Sequence, residues 1–325
     1  MREFPFELAL CARLESPGGA VVGRQLGAAL HGTRVIDVAL VYPGPEFRER
    51  AAITAETIPP AAIEADVGAG EARPIRRAFP GTSRRWARGT VEAAVDAGFF
   101  EVERRGGREY VRQTVRYPDW FGRIVGVENK PDLDRPGDLE LQLRKDVSLG
   151  LFDGVVLATA SHVTGAHLNR IPPEVGVWRF DPGTGERRVV REPTPLDSDG
   201  PGIEVLESHP ARTEVRPATG AEKARQRRRL AERAYGKGWR IPGGSFPGCA
   251  ACASGERFGA GALPDCAWKG RLVDPSRECG SSCPGYEPAD PPATDVRGER
   301  ARNSPWEPAP EGRTRRQAGL DRFVD

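Results

Sequence analysis

The 325-residue sequence contains no apolar run that approaches the length of a bilayer span, which leaves no place for a membrane-spanning segment. It also has little net charge. Lys+Arg 48 against Asp+Glu 46 gives +2, so bulk electrostatics offers no case for nucleic acid. Lysine is scarce, with Lys130, Lys145, Lys223, Lys237 and Lys269 the only five, and arginine supplies the rest of the positive charge. Aromatic residues make up 7%, with no visible stacking platform, which gives single-stranded RNA recognition little support. The first residues, Met1-Arg2-Glu3-Phe4-Pro5-Phe6-Glu7, put acid where a signal peptide needs a cationic and then an apolar stretch. A cytoplasmic protein is therefore expected, and the six cysteines read as thiols or metal ligands before disulfides.

Glycine 39 and proline 30 together make about a fifth of the chain and concentrate late. Residues 3–16 read as a short helix with Phe6, Leu10 and Leu14 on one face, stopped by Pro17-Gly18-Gly19. Strands are expected at Val21–Leu26 and Arg34–Val41, the second apolar on both faces except for Asp37. Residues 46–116 read as an insertion. Thr82-Ser83 caps a helix running to about Ala97, with Trp86, Val91 and Val95 inward, and a hairpin turns at Gly106-Gly107. A helix followed by a basic-tipped hairpin resembles a winged helix, a DNA-contacting module; an ordinary helix–hairpin insertion is the plainer alternative.

Residues 117–182 return to α/β periodicity: strand Phe121–Lys130, helix Gly137–Leu151, strands Gly154–Ala160 and Val175–Phe180. Residues 183–244 read as a linker with a basic helix at Ala221–Ala234, carrying Lys223, Arg225, Arg227, Arg228, Arg229 and Arg233 on a solvated face. Residues 245–285 form a Cys-rich module, and 286–325 a disordered tail.

The segment Val125-Gly126-Val127-Glu128-Asn129-Lys130-Pro131 carries the chemistry. Glu128 and Lys130 are two apart on a strand, so both are expected on one face, and Pro131 ends the ladder beside them. Glu128, the Asn129 carbonyl and a second carboxylate offer oxygens to a hard cation, with Lys130 placed to polarise water. A surface ion pair on an edge strand is the alternative. Glu-x-Lys after an apolar strand, an aspartate on the preceding strand, then a helix and another strand resembles the PD-(D/E)XK nuclease superfamily. The chain as a whole also resembles an uncharacterised protein family of haloarchaea, which implies no activity.

The superfamily resemblance implies an α/β core ordered helix, three strands, helix, strand, made here by residues 1–45 and 117–182. It implies Mg²⁺ or Mn²⁺ held by Asp37 and Glu128, Lys130 as the charge-stabilising residue, Glu7 as an extra acid, and Gln142 as a polar neighbour. Asp119, in the literal Pro118-Asp119, competes with Asp37 for the metal. The fold class is thus an α/β nuclease-like core with a winged-helix-like insertion and a Cys-rich module. The expected function is DNA cleavage in repair or replication; the alternative is a non-catalytic, zinc-containing DNA-binding scaffold.

Cys249-x-x-Cys252, Cys266 and Cys279-x-x-x-Cys283 lie in a Gly/Pro-rich stretch too polar to fold alone, so a metal is its natural organiser. Zn²⁺ is one option. Cys11-Ala12-Arg13 resembles the early Cys-x-Arg of superfamily nucleases that carry an iron–sulphur cluster, which implies a 4Fe-4S centre on Cys11 and three late cysteines. A buried apolar role is the plain reading of Cys11. Finally, Gln317, Leu320, Phe323 and Val324 resemble the motif that binds the sliding clamp, PCNA, with Val324 in place of the usual second aromatic. A short end docking on its own domain is the alternative.

Overall fold

The computed structural model describes residues 2–209, 211–242 and 245–310. The chain divides into two compact units, residues 1–43 with 122–305 and residues 44–121 with the segment from Trp306 onward. The first unit opens with α1 (Glu3–Leu14), β1 (Val21–Gly27) and β2 (Val35–Pro43). The second unit is inserted there: α2 (Phe47–Ala51), α3 (Pro60–Ile63), β3 (Arg73–Pro74), α4 (Ile75–Ala78), α5 (Arg84–Asp96), β4 (Phe100–Arg105) and β5 (Arg108–Gln113). The first unit resumes with β6 (Phe121–Asn129), α6 (Leu139–Leu149), β7 (Gly154–Thr159), α7 (Gly165–Arg170) and β8 (Gly176–Phe180). It continues with β9 (Arg187–Arg191), β10 (Gly202–His209), β11 (Arg212–Ala218), α8 (Gly220–Lys237), β12 (Cys252–Arg257), β13 (Ala260–Cys266), β14 (Arg271–Leu272), α9 (Pro275–Glu278) and α10 (Val296–Asn303).

The main sheet has the order β1-β2-β6-β7-β8-β9. β1 and β2 are antiparallel, β6–β7 and β7–β8 parallel, and β8–β9 antiparallel. Parallel strands need helical crossovers, and α6 and α7 follow β6 and β7 accordingly. The fold is therefore mixed α/β with several sheets, the smaller ones being β10-β11, β12-β13-β14 and β3-β5-β4.

The sequence suggests one apolar stripe for α1, but every residue from Phe6 to Ala12 is buried. One side packs on Val22, Val38, Val127 and Val156 of the sheet; Trp239, Leu263 and Leu272 belong to the same core. A helix that is apolar all round belongs between two layers, and the β12–β13 hairpin is the second layer. The β12–β13–β14 part of the Cys-rich stretch thus packs on α1 through apolar residues.

Several expected boundaries shift. The supposed linker at 183–219 contains β9 and the β10–β11 hairpin, hidden in sequence by arginine and glutamate on exposed strands. α8 does not present a wholly solvated basic face. Lys223 is fully buried with Nζ donating to the Asp197 carbonyl (2.7 Å), and Arg227 donates to the Leu151 carbonyl and the Asp153 carboxylate. α8 also lies against β1, where a Cβ on Gly23 would come within 2.8 Å of the Ala234 methyl. Of the expected disordered tail, residues 296–303 form α10, and Arg300 is buried with its guanidinium donating to the carbonyls that end α8.

In the second unit Ser83 caps α5 as expected, its Oγ accepting the Trp86 N–H. Val91 is buried, but Trp86 and Val95 are exposed, because Ala87, Val91 and Ala94 set the inward face one position away. Gly106 and Gly107 turn the β4–β5 hairpin at φ 55° and 75°, values that favour glycine. β3 adds to β5 as a third strand.

Gly126 in β6 tests the packing at the core of the sheet. A Cβ there would stand 2.9 Å from the Phe152 ring, so Gly126→Ala should lower stability by about 1–3 kcal/mol. Gly122→Ala on the same strand meets nothing within 4 Å and should leave the thermal midpoint unchanged. Equal midpoints for both variants would contradict this packing.

Candidate functional site

Val38 and Leu40 of β2 and Val125 and Val127 of β6 belong to the core shared with α1. Strand alternation then turns Asp37 and Glu128 to the opposite face and Asn129 to the α1 face. Lys130 N–H continues the ladder to β7 through the Ala158 carbonyl. The Asn129 N–H points to the other neighbour, β2, and is taken there by the Asp37 carboxylate (2.9 Å) instead of a backbone carbonyl. A side chain fills the ladder position, so Asp37 is fixed beside Glu128.

Two hydrogen-bonded groups flank this point. Glu7 of α1 accepts from Arg24 Nη1 (2.8 Å), Gln25 Nε2 (2.8 Å) and Asn129 Nδ2 (2.7 Å). Gln25 Nε2 also reaches Asp37 Oδ1 (3.1 Å), and Gln25 holds this position with a left-handed backbone, φ 53°. On the far face Arg34 bridges Glu128 Oε2 (2.6 Å) and both oxygens of Asp146 on α6 (2.6 and 3.0 Å). Glu7, Asp37 and Asn129 line a cavity of about 840 Å³ whose other wall includes Ser276, Arg277 and Cys279 of the Cys-rich segment.

Burial dominates the electrostatics. It raises the pKa values of Glu7, Asp37 and Asp146, while Glu128 is pushed up to about 8 by burial first and the Asp37 charge second. Asp37 likewise raises Glu7. Arg34 opposes these shifts, and its own pKa is raised by Asp146 and Glu128 against the effect of its burial. Four carboxyl groups thus share two arginines, and burial favours their protonated forms.

The sequence-derived residues fall as follows. Asp37 is brought beside Glu128 and meets Glu7 through Gln25. Asp119 lies in the inserted unit, in an exposed turn where its N–H donates to Glu46 (2.5 Å), so Asp37 is the aspartate beside Glu128. Lys130 parts from Glu128: β6 ends at Asn129, and Lys130 Nζ pairs with Glu3 of α1 (2.8 Å) while Glu128 is tied to Arg34. Gln142 sits on α6 with its N–H in the helical bond to Asp138, and Asp146, one turn later, is the α6 residue that reaches the cluster. Arg34, Gln25, Arg24 and Asp146 carry no motif and went unread in sequence. The unpaired charge of Asp37 within an apolar strand was the one available signal that cationic and amide partners had to exist.

The donor chemistry suits a hard cation: two or three carboxylates and a buried Asn129 Oδ1 that accepts no hydrogen bond. The side chains as placed do not converge on one. Among the described residues no three His, Cys, Asp or Glu side chains are grouped to hold a metal ion.

The late cysteines gather loosely. Cys252 and Cys266 are cross-strand partners in the β12–β13 ladder, and Cys249 and Cys279 act on Cys252 electrostatically. Burial first, then these thiols, push Cys252 up to about 11. Cys283 acts in turn on Cys279. Cys11 is fully buried in the core, and the ionisable neighbours that act on it are Glu7, Arg24, Glu15 and Arg240, not a late cysteine. Gln317, Leu320, Phe323 and Val324 lie outside the described residues. No helix among the described residues is long and apolar enough to cross a membrane.

Glu128 yields a pH test. Its folded pKa lies above the ordinary carboxylate value, so the stability it contributes is complete below about pH 4.5 and is lost as pH rises towards 8. Glu128→Gln, which mimics the protonated acid, should gain in thermal midpoint over wild type between pH 5 and pH 8 in EDTA and hold that gain above. A pH-independent difference would show that Glu128 is ionised throughout.

A comparison with protein-family models matches residues 21–288 to a family of unknown function, DUF5787. No curated protein and no solved structure matches the chain. The matched span runs from β1 through the inserted unit to the end of the Cys-rich segment and so includes Asp37, Glu128, Arg34 and all five late cysteines. The chain belongs to the DUF5787 family.

Proposed function

We propose that the chain is a metal-dependent DNA nuclease of the PD-(D/E)XK kind that acts in repair or replication and is tethered to the sliding clamp by its C-terminal segment. The observation that carries the reading is the β2–β6 junction, where Asp37 replaces a ladder carbonyl and lies on one sheet face with Glu128. The element order supports it: a helix bearing Glu7, two strands, an insertion, a strand, a helix and a parallel strand.

In this reading Asp37 and Glu128 would hold Mg²⁺ or Mn²⁺, with Glu7 assisting through Gln25 and Asn129 through its N–H on Asp37. The cation would acidify a bound water and offset phosphate charge. The remaining work falls to the chain's own groups. Lys130, partly exposed, transfers from Glu3 to the charge developing on the phosphate. Arg34 and Asp146 hold Glu128 at the junction, and Arg24 sets Glu7 at the cavity wall. Zn²⁺ or a 4Fe-4S cluster on the late cysteines is the proposed structural centre; freshly purified protein is colourless with zinc and brown with the cluster.

One observation favours the non-catalytic alternative, a zinc-containing DNA-binding scaffold recruited to the clamp. Arg34 and Arg24 already neutralise Glu128 and Glu7, as they would in a site that had lost its metal. Labelled single-stranded, duplex, flap and splayed DNA incubated with Mg²⁺ or Mn²⁺ decides between the two. The nuclease reading expects wild type to cut and Glu128→Ala to lose cleavage by at least about a hundredfold, with DNA binding retained. Binding without cutting by both proteins selects the scaffold.

The tether has its own test. A peptide of the last residues should bind the sliding clamp, with Gln317 supplying polar contacts and Leu320 and Phe323 sharing one face of a helical turn. Replacing Leu320 and Phe323 by alanine should abolish binding in calorimetry; an equal signal from both peptides removes the tether from the proposal.

A further inference from the structure

The inserted unit carries a concavity of its own, about 2160 Å³, between α4, the first turns of α5 and the β5 strand. Eight arginines and three glutamates line it. That is a strong local excess in a chain whose formal charge is only +2. In the hairpin Arg105 pairs with Glu103, and Arg104 with Glu109. Other arginines of the inserted unit have no such partner. Arg76 and Arg77 on α4, Arg84 and Arg85 at the start of α5, and Arg108 on β5 are all exposed. Among the described residues their guanidinium groups have no hydrogen-bond or ion-pair partner.

The placement on α5 is costly without a ligand. A helix N-terminus carries partial positive charge and favours acids, yet the first turn of this 13-residue helix has none and opens Arg84-Arg85. The Ser83 cap satisfies one N–H and adds no negative charge. Like charges gathered from three elements on one concave face, at the positive end of a helix, favour a bound anion. Guanidinium forks bind phosphate oxygens in pairs, and a ligand that meets α4, α5 and β5 together must present several phosphates in a row. Trp86, 49% exposed on α5 beside Arg85, adds an open aromatic ring at the same end of the helix.

We infer that this groove is the surface on which the inserted unit holds the phosphodiester backbone of DNA. The choice of DNA among polyanions rests on the nuclease reading; the groove and its charge do not. The segment from 311 onward is a poor occupant, since it brings four arginines of its own against three acids.

The experiment is anisotropy of a short labelled DNA duplex with the full chain in EDTA, so that no cleavage enters. Single-stranded DNA, RNA of the same sequence and polyglutamate run as parallel probes. Arg76→Ala, Arg84→Ala and Arg108→Ala combined take one charge from each wall. Affinity should fall at least about tenfold, and the slope of log affinity against log salt should become shallower by about 3. Arg105→Ala, at the hairpin turn and off the groove lining, should stay within about twofold of wild type. Should the triple variant fail to fold, Arg84→Ala alone should still flatten the slope by about 1. Unchanged affinity and slope in a folded variant overturns the inference, as does wild type that binds RNA or polyglutamate in preference to DNA. Glu128→Ala is measured beside them. Cleavage is read separately with Mg²⁺ or Mn²⁺: groove variants that lose binding while Glu128→Ala binds, with no cutting by it or by wild type in either cation, would sustain the groove and sink the nuclease.

Discussion

The guanidinium of Arg34 is the tie on which the candidate site depends. It binds Glu128 and Asp146 at 2.6 Å each, joining the end of β6 to α6 from the edge of β2. Both carboxylates are almost wholly buried, and an unpartnered buried charge would leave its ionised form rather than stay. With Asp37 adding its own field, even this arginine does not restore Glu128 to an ordinary carboxylate. Such a cluster sits between two chemistries. A divalent cation would draw the carboxylates into their ionised forms, whereas without one the arginine and a proton share the load. A site built only for stability would gain from replacing the cluster with apolar residues of similar volume.

α1 explains why the site has the shape it has. Because that helix is buried on all sides, Glu7 on it cannot escape to solvent and must be answered by Arg24, Gln25 and Asn129. The same burial fixes the β12–β13 hairpin over the helix, and the Arg240–Glu15 pair, 2% exposed on either side, pins that layer to the helix end. The Cys-rich segment therefore forms a wall of the carboxylate cavity through ordinary packing. Cys279 comes to that wall with it.

What could be read in the sequence follows from this division of labour. The strands carrying Asp37 and Glu128, the helix before them and the cap and hairpin of the insertion were legible, since each rests on local periodicity or turn chemistry. Asp37 could be preferred over Asp119 because an acid inside an apolar strand demands company and an acid in a turn does not. Arg34 and Asp146 were not legible: their roles arise from a meeting of residues 112 positions apart, and neither stands in a motif. β9, β10 and β11 were missed because exposed strands rich in arginine and glutamate lack the apolar alternation that marks a strand. The basic face of α8 misled in the opposite direction, since Lys223 and Arg227 are buried by carbonyl and carboxylate partners supplied from distant loops.

Charge sorting gives the two units different chemical characters in a nearly neutral chain. In the first, arginines are drawn inward and consumed: Arg24, Arg34, Arg227, Arg240 and Arg300 each satisfy a buried carboxylate or carbonyl. In the second, the arginines of α4 and the head of α5 stay outside and unpaired, while the acids near them pair with the hairpin. Arginine bias from a GC-rich genome would distribute guanidinium groups without regard to partners. Arg50, fully buried with its guanidinium on the Thr54 and Glu56 carbonyls, shows the same sorting inside the second unit, between a group that holds the fold and the groups available to a polyanion.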